Sequence, residues 1–157
     1  MLIYIIDDDP DWQRFYKNVL GDCDYHDFGQ SASNYSTASV LNSREKTPAG
    51  GSFPGEESRE RVDSLKLKVF PDGISAMSAI DDQLPDAILL DMLLIGPAGT
   101  SLLAELQSYP DTAKIPIALI SGVDIQDDLS SYGVSKVFNK ASFEPKELLA
   151  WISKLAP

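Results

Sequence analysis

The sequence predicts an α/β fold in which helices cover both faces of a parallel β-sheet. Short apolar runs such as residues 1–6 (MLIYII) are typical of strands that are buried on both faces. Between these runs, apolar residues recur every three or four positions, which is the spacing of an amphipathic helix. Because strand and helix patterns alternate along the chain, the sequence predicts a three-layer α/β sandwich.

Five segments have the character of strands. The first is apolar throughout and stops at Asp7, whereas the second alternates apolar residues with lysines, as a half-exposed edge strand does. The third and fourth are apolar runs, each followed directly by a polar side chain, and the fifth is mixed in composition. The predicted strands cover residues 1–6, 65–70, 86–90, 115–120 and 134–138.

Five helices are predicted between and after these strands. The first has Asp9 as a candidate N-cap and Pro10 in its first turn, and its pattern stops at Gly21. Gly133 is a candidate C-cap for the fourth helix. The predicted helices cover residues 10–20, 74–82, 100–107, 127–132 and 143–155. Right-handed crossovers between five strands favour the flavodoxin-like strand order 2-1-3-4-5.

A polar segment, residues 29–64, interrupts the alternation between the first helix and the second strand. It is rich in serine and glycine and has no sustained apolar period, so we expect a long insertion within a single domain, residues 1–157. The first helix runs away from the carboxyl-terminal edge of the sheet. We therefore expect the insertion to emerge at the opposite edge.

The composition restricts the partners of the chain. The 157 residues carry a net charge of −11, which repels nucleic acid and anionic membranes, so direct binding to either is not expected. Apolar runs stay far below the ~20 residues of a membrane span. The single cysteine excludes an internal disulfide and fits a cytoplasmic protein.

Polar side chains follow the ends of four predicted strands. Asp7 and Asp8 follow the first strand and Asp91 the third, while Ser121 and Lys140 follow the fourth and fifth. The carboxyl ends of parallel strands form the ligand crevice of such a sheet. Carboxylates 4 Å apart repel by about 4 kcal/mol at an effective dielectric of ~20, so either their pKa values rise or a hard cation such as Mg²⁺ lies among them. A remaining carboxylate oxygen can attack phosphorus.

These motifs resemble those of the receiver domain of two-component response regulators. IIDDDP is similar to the acidic pair of that family, and DMLLIGPAG to its phosphoacceptor loop, with Gly99 eight residues after Asp91. Ser121 lies thirty residues after Asp91, and Gly133 lies seven residues before Lys140. The resemblance covers nearly the whole chain except residues 29–64.

The resemblance implies roles for individual residues. Asp91 is then the phosphoacceptor, and Lys140 and Ser121 stabilise the phosphoryl group. Mg²⁺ is bound directly by Asp8 and Asp91, by Asp7 mainly through water, and by a backbone carbonyl, that of Leu93.

The resemblance also implies how the phosphorylated state is controlled. Leu93 and Val123 occupy the positions that tune hydrolysis, and both are apolar, so we expect a long-lived aspartyl phosphate. Val137 occupies the switch position, which is usually aromatic in the family. Ala141 stands where a proline usually follows the lysine.

The function implied by the resemblance is that of a signalling switch and not of a general enzyme. It would catalyse only its own phosphorylation, from a histidine kinase or a phosphotransfer protein, and its own slow dephosphorylation. The last predicted helix reaches the end of the sequence, so we expect output through protein contacts. The surface expected to make them is formed by the fourth helix, the fifth strand and the fifth helix.

Two other functions remain open from the residues. The missing aromatic residue at Val137 and the missing proline at Ala141 are compatible with an interaction module that works without phosphorylation. A haloacid-dehalogenase-like phosphohydrolase would use Asp7 as nucleophile and Asp9 as acid. The acidic residues could also serve only as helix caps.

Overall fold

The computed structural model describes residues 1–21, 23–25, 65–95, 99–123, 125 and 129–155, so the predicted insertion lies outside the described residues. Within these ranges six strands form one parallel sheet. The strands are β1 (Leu2–Ile6), β2 (Cys23–Tyr25), β3 (Lys66–Phe70), β4 (Ala87–Asp91), β5 (Ile117–Ser121) and β6 (Val134–Asn139).

In the same described ranges, four helices and two short 3₁₀ turns lie between the strands, and a fifth helix follows β6. The helices are α1 (Pro10–Leu20), α2 (Gly73–Asp82), α3 (Met92–Ile95), α4 (Gly99–Ser108) and α5 (Pro145–Ser153), and the 3₁₀ turns are Thr112–Lys114 and Ser130–Tyr132. The predicted helix over residues 127–132 is, where it is described, only the second of these turns. Gly133 ends that turn with a φ of 75°, a left-handed conformation that glycine adopts without strain.

The five predicted strands lie in the predicted order, and β2 adds a short strand beside β3. The sheet order is β2-β3-β1-β4-β5-β6. The expected edge position of the lysine-bearing strand, now β3, was wrong, because Cys23 pairs with Leu67 and Tyr25 with Val69. A three-residue strand has too few alternating positions to produce a recognisable sequence pattern.

The added strand precedes the predicted insertion. Because β2 is parallel to β3, Tyr25 lies toward the carboxyl-terminal edge of the sheet. The edge of the sheet from which residues 29–64 emerge lies outside the described residues, so that expectation stays a prediction.

The sheet is buried between two apolar layers. One layer joins the sheet to α1 and α5 through side chains such as Trp12, Phe15 and Trp151, and the other joins it to α2 and α4 through Tyr4 and Leu106. The hydroxyl of Tyr4, which is fully buried, donates to two backbone carbonyls near the end of α2, at 3.2 and 2.9 Å. These two bonds satisfy the polar end of an otherwise apolar core residue.

The register of the strands aligns the residues at their carboxyl ends. Ile6 pairs with Leu90 across β1 and β4, so Asp7 and Asp91 extend from neighbouring strands at the same level. Ser121 pairs with Asn139, which directly precedes the lysine predicted to complete the site. Within the described ranges, no helix is long and apolar enough to cross a membrane.

Candidate functional site

Three carboxylates meet at the carboxyl-terminal edge of the sheet. One oxygen from each of Asp7, Asp8 and Asp91 lies within 4.8 Å of the other two. Asp7 and Asp91 are buried at the ends of β1 and β4, whereas Asp8 is exposed. A partly open set of oxygen ligands without nitrogen or sulfur fits a hard divalent cation such as Mg²⁺.

Asp7 is the most constrained of the three. Its Oδ1 accepts a hydrogen bond from the Asp9 amide at 2.9 Å, and its Oδ2 accepts one from the Tyr16 hydroxyl at 3.1 Å. Burial raises the pKa of Asp7 to about 6, and the nearby charge of Asp91 adds to this. The hydrogen bonds and the ammonium of Lys140, 3.5 Å away, oppose the rise in pKa without cancelling it.

The raised pKa of Asp7 predicts a specific dependence of stability on pH. Without divalent cations, Asp7→Asn should stabilise the fold by about 1–3 kcal/mol near pH 8. The folded pKa of about 6 exceeds the ordinary value of 3.8. Between these two values the folded state therefore binds more protons, and the wild-type protein loses this stability as the pH rises through about 6. Urea unfolding in chelator, from about pH 5 to about pH 8, measures the difference between variant and wild type. A difference that stays constant over this range would contradict the prediction.

Lys140 brings a positive charge against the carboxylates. Its Nζ lies 3.0 Å from Asp91 Oδ2, and its side chain is 11% exposed. The Lys140 amide donates to the carbonyl of Ser121 at 2.6 Å, which fixes the start of the loop to the end of β5. In the same loop, Asn139 Oδ1 accepts from the amide of Ala141 at 2.8 Å. This side chain therefore stabilises the turn at the position where the family usually has proline.

Ser121 lies at the predicted edge of the sheet, but its hydroxyl is engaged within its own loop. Ser121 Oγ donates to the carbonyl of Val123 at 2.6 Å and accepts from the amide of Val123 at 3.1 Å. A hydrogen bond from this hydroxyl to a phosphoryl group therefore requires release of the Val123 carbonyl.

Two exposed apolar side chains follow the ends of β4 and β5. Leu93 is 72% exposed and Val123 is 65% exposed. The amide of Leu93 donates to Asp91 Oδ1 at 3.0 Å, so this residue is attached to the site through its backbone. Both side chains follow the strand ends that carry Asp91 and Ser121, and neither offers a hydrogen-bonding group to water there.

Val137, at the predicted switch position, is more exposed than the neighbouring Phe138. Val137 is 37% exposed, whereas Phe138 is buried with its ring centroid 5.1 Å from that of Phe143. Phe138 belongs to the apolar layer of α1 and α5, and alternation along β6 directs Val137 to the opposite face of the sheet. The role of Val137 in switching stays a prediction.

Two aromatic residues of α1 belong to the site, although their spacing predicted only core packing. The Trp12 ring centroid lies 4.9 Å from Lys140 Nζ, and the Tyr16 hydroxyl binds Asp7. Their position in the sequence could have indicated a role in the site, because α1 begins directly after the acidic residues and its inward face lies beneath them. Helical periodicity alone does not distinguish an aromatic residue in the core from one that also contacts a buried charge.

A comparison with the sequences of known proteins found a partial match. No family model matches the sequence. The response regulator PleD of Caulobacter vibrioides is 31% identical over 72 residues, which are 46% of this chain and 16% of PleD. The match thus spans less than a fifth of that relative.

Solved structures match over nearly the full chain. The BeF₃-activated receiver domain of Klebsiella pneumoniae RstA matches with a TM-score of 0.61 and 21% identity, covering 100% of both chains. The receiver domain of the sensor histidine kinase PA1611 from Pseudomonas aeruginosa, which has magnesium in its active-site cleft, matches with a TM-score of 0.60 and 19% identity, covering 98% of this chain and 95% of that one. The chain therefore has the fold of response-regulator receiver domains, which confirms the resemblance in its sequence at the level of the fold.

Proposed function

We propose that the chain is a phosphoacceptor in two-component signalling. Asp91 would take a phosphoryl group from a histidine kinase or a phosphotransfer protein in a Mg²⁺-dependent reaction. The observation that carries this proposal is the cluster of Asp7, Asp8 and Asp91 with the Lys140 ammonium 3.0 Å from Asp91. A buried carboxylate beside both a cation site and an ammonium has the groups that phosphoryl transfer requires.

The arrangement of the carboxylates supports distinct roles at the metal. We assign direct binding of Mg²⁺ to Asp8, Asp91 and the backbone carbonyl of Leu93. Asp7 would act mainly through water, which is the role that the family resemblance implies for it. When bound, Mg²⁺ supplies positive charge that neutralises the phosphoryl oxygens.

The residues of the chain account for the remaining chemistry. A carboxylate oxygen of Asp91 forms a bond to phosphorus while the phosphorus–nitrogen bond of the donor histidine breaks. The electron pair of that bond stays on the imidazole nitrogen, which takes up a proton. Asp91 needs no general base because it is already an anion, and Lys140 offsets charge on the transferred group. Ser121 would then donate to the phosphoryl group in place of the Val123 carbonyl.

The output of the proposed switch is a protein contact. We assign it to the surface of the Ser130–Tyr132 turn, β6 and α5, which is the equivalent of the surface predicted from the family. The net charge of −11 supports protein partners over nucleic acid. We propose a cytoplasmic location because a chain with a single cysteine forms no internal disulfide, which fits a reducing compartment.

Labelling with a small phosphodonor tests the proposal. Wild-type protein incubated with phosphoramidate and Mg²⁺ should gain the mass of one phosphoryl group. Asp91→Asn should gain none, whereas Asp72→Asn, which changes a helix-capping aspartate outside the cluster, should behave as wild type. Unlabelled wild-type protein, or equal labelling of Asp91→Asn, would refute the proposal.

The same experiment separates the two other functions. Mg²⁺ binding without any labelling would identify an interaction module that does not use phosphorylation. Turnover of phosphodonor by Asp91→Asn would identify Asp7 as a nucleophile.

The two apolar side chains at the strand ends predict a stable phosphoaspartate. Leu93→Asn should shorten the half-life of the phosphorylated form by about tenfold, less than the 10²- to 10⁴-fold contribution of a well-placed general acid or base, because an amide orients water but does not take up its proton. The amide side chain can orient an attacking water, which leucine cannot. Loss of label after removal of the phosphodonor gives the rate. A fast loss in wild type that Leu93→Asn leaves unchanged would contradict the prediction.

A further inference from the structure

We propose that Trp12 is a positioning residue for Lys140 and thereby for phosphorylation of Asp91, an inference that rests on the function proposed above. The Lys140 ammonium lies 4.9 Å from the centroid of the Trp12 ring and 3.0 Å from Asp91 Oδ2. The ammonium is thus held between an aromatic face and a carboxylate.

The position of the Trp12 ring is itself fixed by packing. Trp12 is 5% exposed, and its ring is stacked with that of Phe143 at a centroid distance of 5.8 Å and an interplanar angle of 23°. The Phe15 ring meets it edge to face at 5.0 Å. Because neighbouring rings hold the indole, it presents a rigid surface to the lysine.

This surface limits where the ammonium can go. Lysine is a flexible side chain, and without a support on this side Lys140 would sample orientations that do not contact Asp91. The electron-rich face of an indole attracts a cation, most strongly where water is excluded, and the Lys140 side chain is only 11% exposed. Trp12, together with the carboxylates of Asp7 and Asp91, therefore favours an orientation in which the ammonium can offset the charge of the transferred phosphoryl group.

The phosphorylation rate of three variants tests the proposal. With phosphoramidate and saturating Mg²⁺, Trp12→Leu should be phosphorylated about tenfold more slowly than wild type, at an unchanged Mg²⁺ Kd. Trp12→Phe, which keeps an aromatic face, should recover most of the wild-type rate. Trp151→Leu is the matched control, because Trp151 is 8% exposed in the same apolar layer and its ring meets that of Phe138. It should lose similar stability and keep the wild-type rate.

A double-mutant cycle separates positioning from general damage to the fold. In a Lys140→Met background, Trp12→Leu should cause no further loss of rate, because the ammonium that it positions is gone. An equal loss in that background would overturn the proposal. A wild-type rate in folded Trp12→Leu, or an equal loss in Trp151→Leu, would overturn it as well.

A measurement without phosphodonor distinguishes failure of this inference from failure of the proposed function. The chain has two tryptophans, so Trp151→Phe leaves Trp12 as the only indole. In that background Lys140→Met should shift the emission of Trp12, whereas Lys136→Met should not. An unchanged emission refutes the contact. A shifted emission together with unlabelled wild-type protein keeps the contact but refutes the function and the catalytic part of this inference.

Discussion

Replacing Lys140 with methionine is expected to slow phosphorylation of Asp91 by about 100- to 1,000-fold. Removing one preorganised positive or donor group from a site where charge develops has an effect of this size. Among the described residues, the Lys140 ammonium forms the ion pair with Asp91, and the side chain of Lys140 is only 11% exposed. Methionine keeps most of the volume of the lysine stem, so the packing against Trp12 is largely retained. Rapid-quench labelling with phosphoramidate at saturating Mg²⁺ measures the rate.

Lys136→Met provides the control for this prediction. Lys136 lies on β6, which ends directly before Lys140, and its ammonium is 5.5 Å from the ring of Phe138, so it also combines a cation with an aromatic ring. It is not part of the carboxylate cluster. The control should therefore be phosphorylated at the wild-type rate. A similar rate for Lys140→Met and wild type would show that this ammonium does not act on the transferred group.

The second large effect is expected at the metal. Asp8→Asn should weaken Mg²⁺ binding by at least about 10- to 100-fold, which is the loss caused by removing even an outer partner of a metal ligand. Asp8 is the exposed member of the cluster, so its carboxylate can bind the cation without breaking contacts inside the protein. The amide keeps the shape and removes the charge. Titration with Mg²⁺, followed by the emission of Trp12 in Trp151→Phe, reports the affinity.

The neighbouring Asp9 supplies the matched control for Asp8. Asp9 is the N-cap of α1, and its Oδ1 accepts from the Asp11 amide at 2.8 Å. Asparagine caps helices as well as aspartate does, so Asp9→Asn should keep both the fold and the wild-type Mg²⁺ affinity. Equal weakening by Asp8→Asn and Asp9→Asn would indicate a general effect of negative charge and not a ligand.

The sequence predicted the sheet well because its central strands are buried on both faces. Runs such as residues 86–90 and 115–120 are typical of inner strands of a parallel sheet, and each leads into a polar residue of the site. Since parallel strands end at the same edge of a sheet, the sequence alone predicted that Asp7, Asp91 and Lys140 lie close together.

The parts that sequence reasoning missed depend on tertiary contacts. The three residues of β2 are too few for a period, and pairing with β3 decides their conformation. The hydroxyl of Ser121 could have pointed to the site or to its own loop, and the residue type does not distinguish these orientations. Trp12 has the spacing of a core residue, and only the folded position of Lys140 shows that it also contacts a charge.

The contrast between Val137 and Phe138 has a consequence for how information would leave the phosphorylated edge. The ring of Phe138 packs against those of Phe143 and Trp151, so that face of β6 belongs to the aromatic core. On the other side, the hydroxyl of Ser121 is held by two bonds to a single neighbour, Val123, whose side chain already faces solvent. Phosphorylation of Asp91 would therefore change the surface by rearranging the short loop that follows Ser121. The aromatic core beside β6 would keep its packing during this change.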